Sequence, residues 1–273
     1  MLVMPEKPKD SFLIIDASFM LFVACNPNKA KDEYGNPITI DNKYVYDDSK
    51  TFDDVKYHID NIFISIFTAL DTKYYLAFMD SDFKNNFRLR YYPDYKGNRK
   101  GKEKPKYMDE AKQYMFDYWK VLPVTGLEAD DVCVICKNHY DTGILVSPDK
   151  DLYNLEGNTY NPTANQYITN TLVNERMFFA KQMIEGDSAD NIKGIKGKGK
   201  KFAQEFVDSY EIEDYVNNRV LSHVLRLYQD TYGEYLGVHE FYKNYNSLHI
   251  LKTIDEVPSD IELEIPSPFI ANV

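Results

Sequence analysis

With 273 residues, 44% of them hydrophobic and 15% aromatic, the chain has material for one large or two small folded domains, which excludes wholesale disorder. A formal net charge of −11 argues against binding nucleic acid over the whole surface, but the charge is segregated. Arg88–Lys106 holds eight Lys and Arg against Asp94 and Glu103, and Lys193–Lys201 holds five lysines and no acid, so separate surfaces with separate tasks are expected.

Met1–Ser11 is polar and rich in Pro and Lys, without an apolar signal core. No later apolar run reaches the roughly 20 residues of a membrane span, so the expectation is a cytoplasmic chain with no membrane partner. Three cysteines suit a reducing compartment; Cys133-x-x-Cys136 lacks a second pair or a His cluster and reads as buried helix cysteines, not a zinc site.

Phe12–Ile15 followed by Asp16 reads as a buried strand ending in a carboxylate, and Ser18 as the cap of a helix over Phe19–Ala24. Asn26–Asp54 is polar, a long loop with a small hairpin at Ile38–Tyr46. Phe52–Leu70 has helical spacing, and Tyr74–Met79 followed by Asp80 is a second buried strand ending in an acid. Arg88–Lys120 interleaves cations with aromatics, including Tyr95, Lys96 and Arg99. It is either a solvated loop before a helix or a holder of single strands through phosphate contacts and base stacking.

Gly126-Leu127-Glu128-Ala129-Asp130-Asp131 then leads into the apolar run Val132–Cys136. Three acids at the head of a core helix are either a solvated first turn complementing the helix dipole or the seat of something cationic. Gly143–Ser147 is a third apolar strand, running into Asp149 and Asp151. Leu172–Glu185 is a helix ended by Gly186, with Asp187 and Asp190 behind it. Gly194–Lys201 is a glycine-rich loop bearing Lys196, Lys198, Lys200 and Lys201, entering a helix at Phe202–Phe206; Gly197 and Gly199 let backbone amides approach a phosphate. Leu221–Tyr245 continues helical, and 257–273 is a Pro-bearing tail.

Three strands each ending in a carboxylate predict an α/β fold with a mainly parallel sheet flanked by helices, its acids converging in the crevice at the strand ends. Asp16, Asp80, Glu128, Asp130, Asp131, Asp149, Asp151, Asp187 and Asp190 are candidate ligands. Oxygen-only ligands fit Mg²⁺ or Mn²⁺, and this many suggests two ions and in-line phosphodiester cleavage, with Lys96 or Arg99 relieving charge in the transition state.

In this order, Asp16, Asp80, Tyr95-Lys96-Gly97-Asn98-Arg99, Gly126–Asp131, Asp149-x-Asp151, Gly186-Asp187-x-x-Asp190 and the glycine loop resemble the 5′-nuclease (flap endonuclease) family, nearest the phage-type 5′→3′ exonucleases. The resemblance spans about Leu13 to Phe206. It implies a PIN/5′-nuclease-like core over 11–185 with a helical arch at about 83–120, a helix–three-turn–helix in a DNA-binding subdomain at 186–256, and a tail at 257–273. It also implies a monomeric nuclease acting on free 5′ ends, flaps or nicks of DNA and on RNA–DNA hybrids, in replication or repair, in a host cell's cytoplasm if phage-encoded. All nine acids would hold two divalent ions, with Asp130 and Asp149 essential to cleavage. Lys96 would be the active-site lysine, Tyr95 a base-stacking neighbour, Arg88 and Arg99 further DNA contacts, and the glycine loop a duplex grip that binds K⁺. Ala17-Ser18-Phe19, Val23, Pro148 and Lys198 depart from the family pattern without removing a ligand, and bear on substrate handling.

A haloacid-dehalogenase-like phosphatase would need a second acid two residues after Asp16, where Ser18 stands. A PIN-type ribonuclease shares the acids but lacks the glycine loop and the basic arch. A non-catalytic DNA-binding protein would not need all nine acids.

Overall fold

Phe12–Asp16 (β1) is buried at every position and lies inside a seven-stranded sheet among the described residues. The computed structural model describes residues 12–271 apart from Asn42, Asp48 and Asp141, so the reading of Met1–Ser11 and the last two residues of the tail lie outside the described residues. β1 leads into α1 (Ser18–Cys25). Ser18 is not its cap: the Asp16 side chain accepts the Ser18 amide at 3.0 Å, so the carboxylate takes over that task.

After Asn28–Lys29 (β2), Thr39–Ile40 (β3) and Lys43–Tyr44 (β4) form the hairpin expected within Ile38–Tyr46, and Tyr46–Asp47 (β5) pairs with β2 outside it. α2 (Phe52–Leu70) begins on a Thr51 cap and presents Val55, Ile59, Phe63 and Ile66 to the sheet. β6 (Tyr74–Asp82) pairs parallel with β1. Three 3₁₀ turns follow, at Phe83–Asn85, Phe87–Arg90 and Gly97–Arg99.

The expected arch stretch holds no α-helix before α3 (Met108–Asp117). Gly97, Gly101 and Pro105 interrupt helix propagation there. α3 packs Ala111 and Met115 into the core beside α1 and α2.

β7 (Leu122–Thr125) runs parallel to the end of β6, and α4 (Ala129–His139) crosses beneath the sheet. β8 (Gly143–Val146) pairs parallel with β1 on its other side. After α5 (Lys150–Tyr153), β9 (Gly157–Asn161) and β10 (Gln166–Asn170) extend that edge as a hairpin. Along β1 the pleat alternates: Leu13 and Ile15 face the α1–α2–α3 side, whereas Phe12 and Ile14 face α4, where Cys133 and Cys136 are buried as free thiols.

A helical module follows: α6 (Leu172–Glu185), a short hairpin pairing β11 (Gly186–Asp187) with β12 (Ile192–Lys193), α7 (Lys200–Asp208), α8 (Ile212–Val216), α9 (Arg219–Tyr232) and α10 (Glu234–Leu248). The single helix expected over Leu221–Tyr245 is broken into α9 and α10 at Gly233, whose φ of +88° is outside the helical range. α6 shares the apolar cluster of α7, α9 and α10 through Ala180, Met183 and Ile184, so the module begins before the expected boundary at 186. The expected Pro-bearing tail after 257 packs against the body of the chain. Ile261, Leu263 and Ile265 pack on the α4 side, and Phe269–Ile270 (β13) adds antiparallel to Tyr74–Tyr75. Among the described residues no helix is long and apolar enough to cross a membrane.

Candidate active site

Because β1, β6 and β8 run parallel, their C-terminal ends meet on one side, and the acids at those ends meet with them. Asp16 is buried; it accepts the Ser18 amide and, at 3.1 Å, the Ser147 hydroxyl beyond β8. Asp80 accepts the amide of Ala129, the first residue of α4, at 2.7 Å. α4 thus aims its positive end, with Asp130 in its first turn, at the carboxylates of β1 and β6. Asp149 caps α5 by accepting the Asp151 amide at 2.8 Å. Burial raises the Asp16 carboxyl to about 6, helped by the charges of Asp80 and Asp149. Asp130 is pushed well above the carboxylate range by burial, then by Asp16 and Asp149. Asp80 is raised by burial and by Glu128. Among the described residues, no ammonium or guanidinium ion-pairs with Asp16, Asp80, Asp130 or Asp149.

The remaining acids have side-chain partners from the chain itself. Glu128 accepts the Lys96 ammonium and, at 2.8 Å, the Tyr95 hydroxyl. Burial opposes its ionisation, but Lys96 and Arg88 outweigh burial and hold Glu128 below its ordinary value. Asp190 accepts Tyr95 and Arg99, each at 3.1 Å. Asp187 is buried, yet Lys150 and Gln182 keep its carboxyl low; Asp151 beside it is raised by burial to about 6.

Asp131 departs furthest from expectation. Its two oxygens accept Arg88 at 2.6 and 2.7 Å and the amides of Glu128 and Leu251 at 3.1 and 3.0 Å, which leaves no lone pair aimed at the crevice. Arg88, expected on DNA, is 2% exposed and also donates to the carbonyls of Ser247 and His249. Tyr95, expected to stack on a base, is 1% exposed within the helical module's core. Both corrections have one cause: the acids at the start of α4 draw these donors inward.

Tyr95–Arg99 is stitched to the Gly186–Asn191 loop. The Lys96 amide donates to the Asp190 carbonyl at 2.8 Å, Asn98 to the Ser188 carbonyl at 2.9 Å, and Asn191 to the Asp94 carbonyl at 2.9 Å. Gly186 and Gly194 cross so closely that a Cβ on Gly194 would lie 2.2 Å from the Ile184 carbonyl oxygen. Beyond them Gly197, at φ +78°, and Gly199 face open space at the start of α7. Lys196, Lys200 and Lys201 are exposed there, and Lys198 lies 4.1 Å from the Phe202 ring centroid.

Sequence reasoning missed Ser147, Gln182 and Lys150 as partners of the acids; a lysine between two aspartates was the visible signal for the last. The donor chemistry of the uncompensated acids, oxygen-only and mutually repelling, fits a hard divalent cation. Among the described residues, however, no three His, Cys, Asp or Glu side chains are spaced as a ready-made metal site.

Residues 11–184 match the model of the 5′–3′ exonuclease family, N-terminal resolvase-like domain. The match stops short of the glycine loop. DNA polymerase I of Borreliella burgdorferi is 33% identical over 110 residues, covering 34% of this chain and only 12% of that protein. A bacteriophage T5 protein co-crystallised with metal ions superimposes over 88% of each chain with a TM-score of 0.51 at 19% identity, in agreement with the fold. Flap endonuclease-1 from Methanococcus jannaschii aligns over 88% of this chain and 93% of its own, with a TM-score of 0.47 at 14% identity.

Proposed function

This chain belongs to the 5′–3′ exonuclease family, and from that premise we propose that it hydrolyses phosphodiester bonds near the 5′ ends of DNA, as a metal-dependent exonuclease and flap endonuclease in replication or repair. The observation that carries this reading is the cluster of Asp16, Asp80 and Asp149 at three parallel strand segments with Asp130 at the start of α4, none of them in an ion pair among the described residues. They would hold one Mg²⁺ or Mn²⁺, and Asp149, Asp151, Asp187 and Asp190 would hold a second. Such ions polarise the phosphoryl oxygens and lower the pKa of water. Asp131 and Glu128 are left out of the expected ligand set, since Arg88 consumes the first and Lys96 and Tyr95 the second.

Lys96 sits between Glu128 and Asp190 at the edge of this cluster. Its ammonium stabilises the charge that builds on the scissile phosphate. Arg99, whose side chain is half exposed, meets the phosphate on the solvent side. The glycine loop with Lys196, Lys198, Lys200 and Lys201 grips phosphates of uncleaved duplex, its amides reachable because Gly197 and Gly199 carry no side chain.

End-labelled flap, nicked duplex and RNA–DNA hybrid, incubated with Mg²⁺, Mn²⁺ or EDTA, test the reading. Cleavage near the 5′ end with either ion and none in EDTA is expected. Robust cleavage in excess chelator would sink the metal-dependent mechanism. Cleavage confined to RNA would favour the PIN-type ribonuclease, and binding without cleavage a non-catalytic role. Light scattering should report a monomer.

A further inference from the structure

Lys150 follows Asp149 and opens α5. Its ammonium donates to Oδ2 of Asp187 at 2.6 Å and to Oδ1 of Asp151 at 3.2 Å. The Gln182 amide, from α6, donates to the same two oxygens, at 3.1 and 3.0 Å. Phe178, one helical turn earlier on α6, lies beside the lysine, its ring centroid 5.7 Å from the nitrogen. Two carboxylates from different segments are thus bridged by one ammonium and one amide of the chain. Among the described residues Asp16 and Asp80 receive only backbone amides and a hydroxyl, and Asp130 receives no side-chain donor. The Lys150 side chain is 45% exposed, so it has room to leave.

We infer that Lys150 is a tethered counter-cation for the Asp151–Asp187 pair, so that the protein takes one divalent ion tightly among Asp16, Asp80, Asp130 and Asp149 and admits a second only in competition with the lysine. This rests on the metal-dependent reading above and divides its two ions into unequal classes. The physical basis is exclusion: an ammonium at hydrogen-bond distance from both carboxylates occupies the volume and satisfies the charge that a divalent ion would. Removing it leaves two adjacent carboxylates uncompensated, which raises their affinity for another cation.

The test is a Mn²⁺ titration of the full chain without DNA at neutral pH, following free Mn²⁺ by its electron paramagnetic resonance signal. Wild type should bind one ion tightly and a second more weakly. Lys150→Met should leave the first affinity unchanged and tighten the second on the order of tenfold or more, the usual size of a coupling between sites. Lys150→Arg, which keeps a cation there, should behave as wild type, and circular dichroism melts confirm that both variants fold. Two ions of equal affinity in wild type, or a second affinity unmoved by Lys150→Met, overturns the inference; the nuclease reading survives that result if EDTA still abolishes cleavage. No Mn²⁺ bound by any form, with cleavage persisting in EDTA, overturns both.

Discussion

Arg88 and Asp131 form a two-pronged ion pair, at 2.6 and 2.7 Å, between side chains that are both buried. Through the carbonyls of Ser247 and His249 and the amide of Leu251, the pair also ties the end of the helical module to the start of α4. It therefore spans the joint between the acid crevice and the module that carries the glycine loop.

Removing one partner strands the other as a buried, uncompensated charge. Arg88→Met should cost about 3–5 kcal/mol of stability, read from the shift of a urea unfolding midpoint. Restoring shape and neutrality with Arg88→Met/Asp131→Leu should recover a large part of that loss. A single variant within about 1 kcal/mol of wild type would show that the pair contributes little.

The buried acids whose carboxyls are raised predict an inverted pH dependence for metal-free protein. Asp16 and Asp151 sit at about 6 in the fold against an ordinary 3.8, and Asp80, Asp130 and Asp190 are also raised. Below 3.8 the proton is bound in both states and this contribution is fully present; as pH rises through about 6 the folded state must ionise against burial and repulsion, and the contribution is lost. Glu128 and Asp187 shift downward, so their effect falls below this window. In EDTA, stability should decline from about pH 4 to pH 7. Saturating Mn²⁺ should abolish the slope. His249, lowered by burial, contributes equally to both curves, so their difference isolates the acids. Parallel curves would remove the acids from the ion's binding site.

Asp130 is repelled by Asp16 and Asp149 and, among the described residues, makes no side-chain hydrogen bond, so Asp130→Asn should raise the melting point of the metal-free protein while abolishing cleavage. Each kcal/mol relieved is worth about 2–4 °C in a chain of this size. DNA affinity should hold or tighten. Equal loss of binding and cleavage would make the residue structural.

The two basic regions should separate kinetically. Lys96→Ala should lower the single-turnover rate at saturating DNA by roughly 10²-fold with little change in affinity. Replacing Lys200 and Lys201 should weaken binding and flatten its salt dependence by about one unit of slope for each phosphate no longer neutralised, with the saturated rate near normal. Exchanged effects would mean that the substrate lies the other way across the crevice.

Local features were legible from residues alone. Phe12–Asp16 and Tyr74–Asp80 announce themselves because an unbroken apolar run closed by a carboxylate has few other uses, and Gly186 because a helix end followed by acids is a short-range pattern. Weak signals were missed: Gly157–Asn161 is a polar strand without alternation, and Phe269–Ile270 becomes a strand only by lying against Tyr74–Tyr75. The sequence by itself determined the supply of acids and their place at strand ends, since the parallel order of the strands carries those ends to one side. Only the tertiary structure decided which acids stay uncompensated. Arg88 reaches Asp131 across 43 positions, Lys96 reaches Glu128 across 32, and Lys150 reaches Asp187 across 37. Ion pairing depends on separation in space and on burial, and neither can be read from distance along the chain.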